Sequence, residues 1–226
     1  MSCVGPGLAR PHDLLWLDPA AVPSAPHGAE RPIWPHWRNA AWPVVVRRDH
    51  CSPYIPVGLR GATRSQRYAA WTLPGHILNI VTPETLARTR AWLTHPQHAL
   101  PSMRALRSLA DDLDRCGLPW GPTGSTGFCL ATKTSLLRHD SDLDLRIRAS
   151  SPLTRDEVEY LGHLADRVAC RLDIQIETGS GGFALNEWRA RRGQVLLKTN
   201  HGPILTADPW ADPWAETHAR TVEPAS

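Results

Sequence analysis

Two aspartates, Asp142 and Asp144, stand one residue apart in the segment Asp-Leu-Asp-Leu-Arg-Ile-Arg that ends at Arg148. The alternation is that of a strand, which puts both carboxylates on one face and Leu143, Leu145 and Ile147 on the other. At a rise of about 3.3 Å per residue, the two Cα atoms lie roughly 7 Å apart. Like charges that close raise one another's pKa unless a cation lies between them, and Mg²⁺, a hard ion with oxygen ligands, meets that need. Upstream, Thr-Gly-Ser-Thr-Gly from Thr123 to Gly127 is suited to open a helix. The free N–H groups that begin at Gly124, together with the Ser125 hydroxyl, are placed to hold phosphate oxygens. Ser125 is read as a phosphate holder and not as a nucleophile, because the stretch lacks the Gly-x-Ser-x-Gly elbow. The chemistry predicted is metal-assisted reaction at a phosphate.

Such residues need a rigid support. A second alternating stretch, Arg171 to Glu177, places Asp173, Gln175 and Glu177 on one face and Leu172, Ile174 and Ile176 on the other. Between the two acidic strands, Thr154-Arg155-Asp156-Glu157 is a capping box that opens a helix with Val158, Leu161, Ala165 and Val168 inward. Strand, helix, strand is the connection that lets both acidic strands share a sheet. Earlier, Thr82-Pro83 starts a helix to about Leu93, and Pro101 to Cys116 forms another with Met103, Leu106, Ala110 and Leu113 along one side. Its Asp111, Asp112 and Asp114 are expected to form an exposed acidic face. In the first half, His12–Leu17 and Pro43–Arg47 read as strands and Trp34–Trp42 as a short helix; near the end, Ala184–Arg191 reads as a short helix and Gln194–Thr199 as a last strand. The expected division is a disordered 1–10, a smaller α+β domain over 11–80, a mixed α/β sheet with packed helices over 85–206, and a tail over 207–226.

Arg47 and Arg48, with Arg60, Arg64 and Arg67 around a Gly58/Gly61 turn, form the densest basic cluster. They either fork onto substrate phosphates or belong to a solvated loop. Lys198, at the end of the last strand, either reaches a substrate phosphate or is plain surface. Positive side chains exceed negative ones by only 25 − 22 = 3, too few to argue for nucleic-acid binding. Hydrophobic residues at 42% and charged ones at 21% fit a soluble globular chain, and no apolar run approaches the roughly 20 residues of a membrane span. Five scattered cysteines without a Cys-x-x-Cys pair argue against a disulfide framework or zinc site, so a cytoplasmic protein is expected.

The order Gly124-Ser125, short helix, then Asp142-Leu143-Asp144-Leu145 resembles the signature of the nucleotidyltransferase superfamily, although the spacer Thr126–Ser141 is slightly longer than that superfamily usually shows. The resemblance implies a third carboxylate on a neighbouring strand, assigned here to Asp173 with Glu177 in reserve. Pro11 to Leu17, Pro43 to Asp49, Ile55 to Gly61 with Arg64 and Arg67, and Val195 to Thr199 before Gly202-Pro203 together resemble the malonate decarboxylase holo-acyl-carrier-protein synthase family. These are phosphoribosyl-dephospho-CoA transferases, and the likeness spans roughly residues 10–210. It implies an α+β fold of nucleotidyltransferase type and transfer of the prosthetic group from triphosphoribosyl-dephospho-CoA to a serine of the apo acyl carrier protein subunit of malonate decarboxylase, with release of pyrophosphate. It further implies Mg²⁺ held by Asp142, Asp144 and Asp173, the donor being held by Gly124, Ser125, Arg47, Arg60, Arg64, Arg67 and Lys198. Two other readings share these residues: a nucleotidyltransferase acting on an ordinary NTP and a small acceptor, and a non-catalytic binding module of the same fold.

Overall fold

The computed structural model describes residues 9–25, 42–61, 66–190 and 193–215. Among these the chain is α+β, with two sheets and five α-helices. The first sheet contains β1 (Leu14–Leu17), β2 (Val44–Val46), β3 (Ile55–Arg60), β4 (Arg67–Thr72) and β5 (Ile77–Val81) in the order β4-β3-β2-β1-β5, all antiparallel. Its buried face is β-branched and aliphatic: Leu15, Val44, Val46, Ile55 and Val57 form a compact core.

Two helices follow. α1 (Pro83–Thr89) begins as its residues require, with the Thr82 hydroxyl accepting from the Thr85 N–H and Pro83 in the first turn. It ends at Arg90, whose backbone is left-handed, so the last residues to Leu93 form a separate 3₁₀ turn and not a continuation of the helix. α2 (Pro101–Arg115) buries Met103, Leu106, Leu109, Ala110 and Leu113.

The second sheet holds β6 (Trp120–Pro122), β7 (Leu143–Arg148), β8 (Leu172–Glu177), β9 (Gly182–Ala184), β10 (Val195–Thr199) and β11 (Gly202–Thr206), in the order β11-β10-β9-β8-β7-β6. Only the β7–β8 pair is parallel. A parallel neighbour needs a crossover, supplied by α4 (Arg155–Ala165), whose capping box between Thr154 and Glu157 forms in full. α3 (Gly124–Thr132) precedes β7, and α5 (Leu185–Arg189) begins one residue later than its sequence suggests. Leu143, Leu145 and Ile147 of β7 and Leu172, Ile174 and Ile176 of β8 share a core with α2 and α4, as their alternation requires.

Several expectations change. Gly58 is not a turn residue: it pairs with Ala69 inside the β3–β4 ladder, and the hairpin closes beyond it at Gly61–Gln66. Asp112 does not belong to an exposed acidic face, because Arg115, Tyr160 and Arg167 cover its carboxylate. The strands β4, β5 and β11 carry too little alternation to be found from sequence. The segment after residue 206 docks through Trp210, which packs on Phe183 and Trp188 and donates to the Ala149 carbonyl at 2.9 Å. The Trp34–Trp42 helix and the 1–10 segment fall largely outside the described residues. No helix among the described residues is long and apolar enough to cross a membrane.

Candidate active site

The site is built where α3 meets β7. Thr123, the residue before α3, donates its N–H to the Asp144 carbonyl at 2.9 Å, tying the helix start to the acidic strand. Gly124 then turns the chain with φ of 59°, in the left-handed region. A Cβ at this position would overlap the Asp144 carboxylate. Glycine is therefore required twice, for the turn and for the close approach.

β7 and β8 pair in parallel with Asp144 opposite Asp173, so the two side chains leave the same face of neighbouring strands. Asp142 precedes β7 by one residue, and all three are half-buried. The donor set is all oxygen, which suits a hard divalent cation. Among the described residues, no three His, Cys, Asp or Glu side chains close into a metal-binding cluster. Mg²⁺ usually takes one or two carboxylates and completes its shell with water and substrate phosphate. Glu177 is committed elsewhere: it accepts from Arg48 Nη2 at 2.5 Å and pairs with fully buried Arg146. Of Asp173 and its reserve Glu177, Asp173 is the one beside Asp144.

Between the two sheets lies a cavity of about 750 Å³. Arg47, Arg48, Arg60 and Arg67 line it from the first sheet, and Lys198 enters from β10. Gly124, Asp144 and Gln175 face them. Arg60 and Arg67 are cross-strand partners at the end of the β3–β4 hairpin. Arg60 also donates to Ser125 Oγ at 3.2 Å, and its guanidinium carbon lies 5.0 Å from the Phe128 ring centroid, so a first-sheet cation touches the start of α3. Leu14, Val45, Tyr68, Val81, Leu86 and Phe128 supply an apolar lining, which makes the cavity suited to a ligand that is part anionic and part apolar. Arg64 lies outside the described residues. Asp142 and Asp173 do not line the cavity wall; they stand beside Asp144 at its edge.

A buried charge network borders the cavity through Arg48. Besides the Arg48–Glu177–Arg146 contacts, Arg148 bonds Glu84 and lies 3.9 Å from Asp13, while Arg10 lies 3.6 Å from Glu84. Burial pushes the Asp13 carboxyl up to about 6, against the Arg10 backbone N–H and the charges of Arg10 and Arg148. His12 lines the cavity beside this network, and burial, followed by Arg146, Arg48, Arg148 and Lys198, holds its imidazole well below the usual range. His12 and Gln175 were not among the residues singled out from sequence for the site, whereas Arg48 belonged to the basic cluster. The alternation of β8 does place Gln175 on the acidic face, but nothing in the sequence signals that His12 folds over from the other sheet.

Residues 10–83 match the family described as the phosphoribosyl-dephospho-CoA transferase MdcG N-terminal domain, and residues 86–209 match its C-terminal domain. A phosphoribosyl-dephospho-CoA transferase of Klebsiella pneumoniae (strain 342) is 47% identical over 203 residues, covering 89% of this chain and 96% of the relative. One from Pseudomonas putida (strain GB-1) is 41% identical over 205 residues, covering 89% and 95%. No solved structure matches. With both halves matched and relatives spanning nearly their full lengths, this chain belongs to the phosphoribosyl-dephospho-CoA transferase (MdcG) family of transferase enzymes.

Proposed function

We propose that this protein transfers the 2′-(5″-phosphoribosyl)-3′-dephospho-CoA group from its triphosphate precursor to a serine hydroxyl of the apo acyl carrier protein of malonate decarboxylase, releasing pyrophosphate. The observation that carries this reading is the cavity in which Arg47, Arg60, Arg67 and Lys198 confront the Gly124–Asp144 edge. The cations suit a triphosphate and the apolar lining suits the rest of a CoA-like donor. Gly124 and Ser125, at the start of α3, orient the phosphates with backbone N–H groups and a hydroxyl. Arg60, already bonded to Ser125, adds charge at the same point.

Asp142 and Asp144, with Asp173 beside Asp144 on the neighbouring strand, would hold Mg²⁺, which when bound would lower the pKa of the attacking hydroxyl and offset charge on the departing pyrophosphate. The chain's own contribution is positional. Two parallel strands fix the carboxylates, and the cavity's apolar lining keeps water from competing with the serine.

The test is intact-mass analysis of purified apo carrier protein after incubation with this enzyme, Mg²⁺ and triphosphoribosyl-dephospho-CoA, with ATP as the competing donor. The expected result is one added prosthetic group with the CoA-type donor alone. Addition of AMP from ATP would replace this reading with that of a general nucleotidyltransferase. Asp142→Asn and Asp144→Asn should each lower transfer at least about 100-fold while the thermal transition is retained. Near-normal transfer in either variant would refute the metal assignment.

A further inference from the structure

His12 is placed as a ligand contact and does not pack as a core residue. Its φ of 76° lies in the left-handed region, where residues other than glycine are uncommon. That conformation is fixed by two backbone bonds, from the His12 N–H to the Val46 carbonyl at 2.9 Å and from the Asp13 N–H to the Arg10 carbonyl at 3.0 Å. The result points a ring from the first sheet into the cavity shared with Asp144, Gln175 and Lys198. Among the described residues, no side chain or carbonyl hydrogen-bonds that ring. A residue other than glycine held at positive φ, with a polar ring at a cavity wall, is the mark of a binding position.

We propose that His12 is a further substrate-contacting residue, hydrogen-bonding a phosphate oxygen of the polyanionic donor. The proposal rests on the proposed function for the donor's identity, but only on the cavity for its polyanionic class. The charged groups that act on His12 are Arg48 after β2, Arg146 and Arg148 on β7 and Lys198 on β10, while Arg47 and Asp144 line the same cavity. Burial, and cations that outnumber the carboxylates, hold the imidazole's pKa well below its usual value. Phosphate oxygens entering the cavity reverse that balance, so the ring takes up a proton and becomes a charged donor to the ligand.

The full-length protein is to be titrated with inorganic triphosphate and with triphosphoribosyl-dephospho-CoA, by calorimetry in buffers of differing ionisation enthalpy and by NMR of ¹⁵N-histidine-labelled protein. In the wild type, one imidazole resonance should move its titration to higher pH when either probe binds. That resonance should be absent from His12→Asn, which tolerates positive φ, and from His12→Gln. Either variant should raise the donor KM about 10-fold with kcat within about 2-fold, and should take up fewer protons on binding than wild type. The proposal is overturned if no wild-type histidine shifts on binding, or if a folded variant binds the probes with wild-type affinity and proton uptake. Binding of triphosphate with the His12 shift but no transfer to carrier protein would reject the proposed function and leave this contact standing. If wild type binds neither probe, both fall.

Discussion

Asp144 reaches the edge of the cavity by lying against the bare Cα of Gly124, and this contact sets the tolerance of the site. Gly124→Ala would have to displace the carboxylate and would also place a side chain at φ of 59°. The expected loss is about 1 kcal/mol of stability from the backbone and, from a misplacement of the order of 1 Å, roughly 100-fold in transfer rate. Thermal denaturation and the carrier-protein mass assay would read the two separately. Asp13 makes a pH prediction. Its folded carboxyl is pushed up to about 6 from 3.8, so the folded chain binds this proton more tightly than the unfolded one. The stabilisation is therefore present below about pH 4 and is lost as pH rises through about 6. Relative to Asp13→Asn, the wild type should lose up to about 3 kcal/mol between those limits and nothing further above them, as measured by denaturant melts at each pH. At this scale the sequence was informative where chemistry and local pattern coincide, as in Gly124-Ser125 and Asp142-Leu143-Asp144. It was silent on His12, whose role depends on which sheet it faces.

The parallel β7–β8 pair is the element that converts two alternating sequences into one site. Register alone brings Asp144 opposite Asp173, Arg146 opposite Gln175 and Arg148 opposite Glu177. The same face that is acidic at one end is thus a buried ion-pair network at the other. Strand periodicity predicts the shared face, and the capping box of α4 predicts the crossover, so this unit was legible from sequence. What periodicity cannot show is which polar residues are covered by another element. Glu177 sits in the reserve position for a ligand, yet Arg48, from the other sheet, turns it into a structural anion. Glu177→Gln should cost about 3–5 kcal/mol, because Arg48 and Arg146 would remain buried without their counter-charge. The loss should show in equilibrium unfolding and exceed that of Asp144→Asn. The weak strands β4, β5 and β11 were hidden for a related reason: Gly202-Pro203 and Pro74-Gly75 break the pattern, and pairing to neighbours supplies the order that the local sequence lacks.

At the cavity, three arginines of the first sheet face the glycine turn and acidic strand of the second. Arg47, Arg60 and Arg67 belong to the first sheet, Gly124 and Asp144 to the helix and strand of the second. A donor that bridges them is attracted by several partly exposed positive groups, so raising ionic strength from about 50 to 300 mM should increase the donor KM several-fold while kcat changes little. Initial rates of pyrophosphate release across a salt series would check this, and a flat KM would remove the arginines from the donor's contacts. The Arg48–Glu177 contact has a consequence for how such chains can diverge. Because a guanidinium from one half is neutralised by a carboxylate from the other, a hybrid that joins residues 10–83 of this protein to the later part of a relative inherits its seam from two parents. Hybrids whose parents agree at that guanidinium–carboxylate contact should assemble. Those that disagree should keep two intact sheets that no longer enclose a common space.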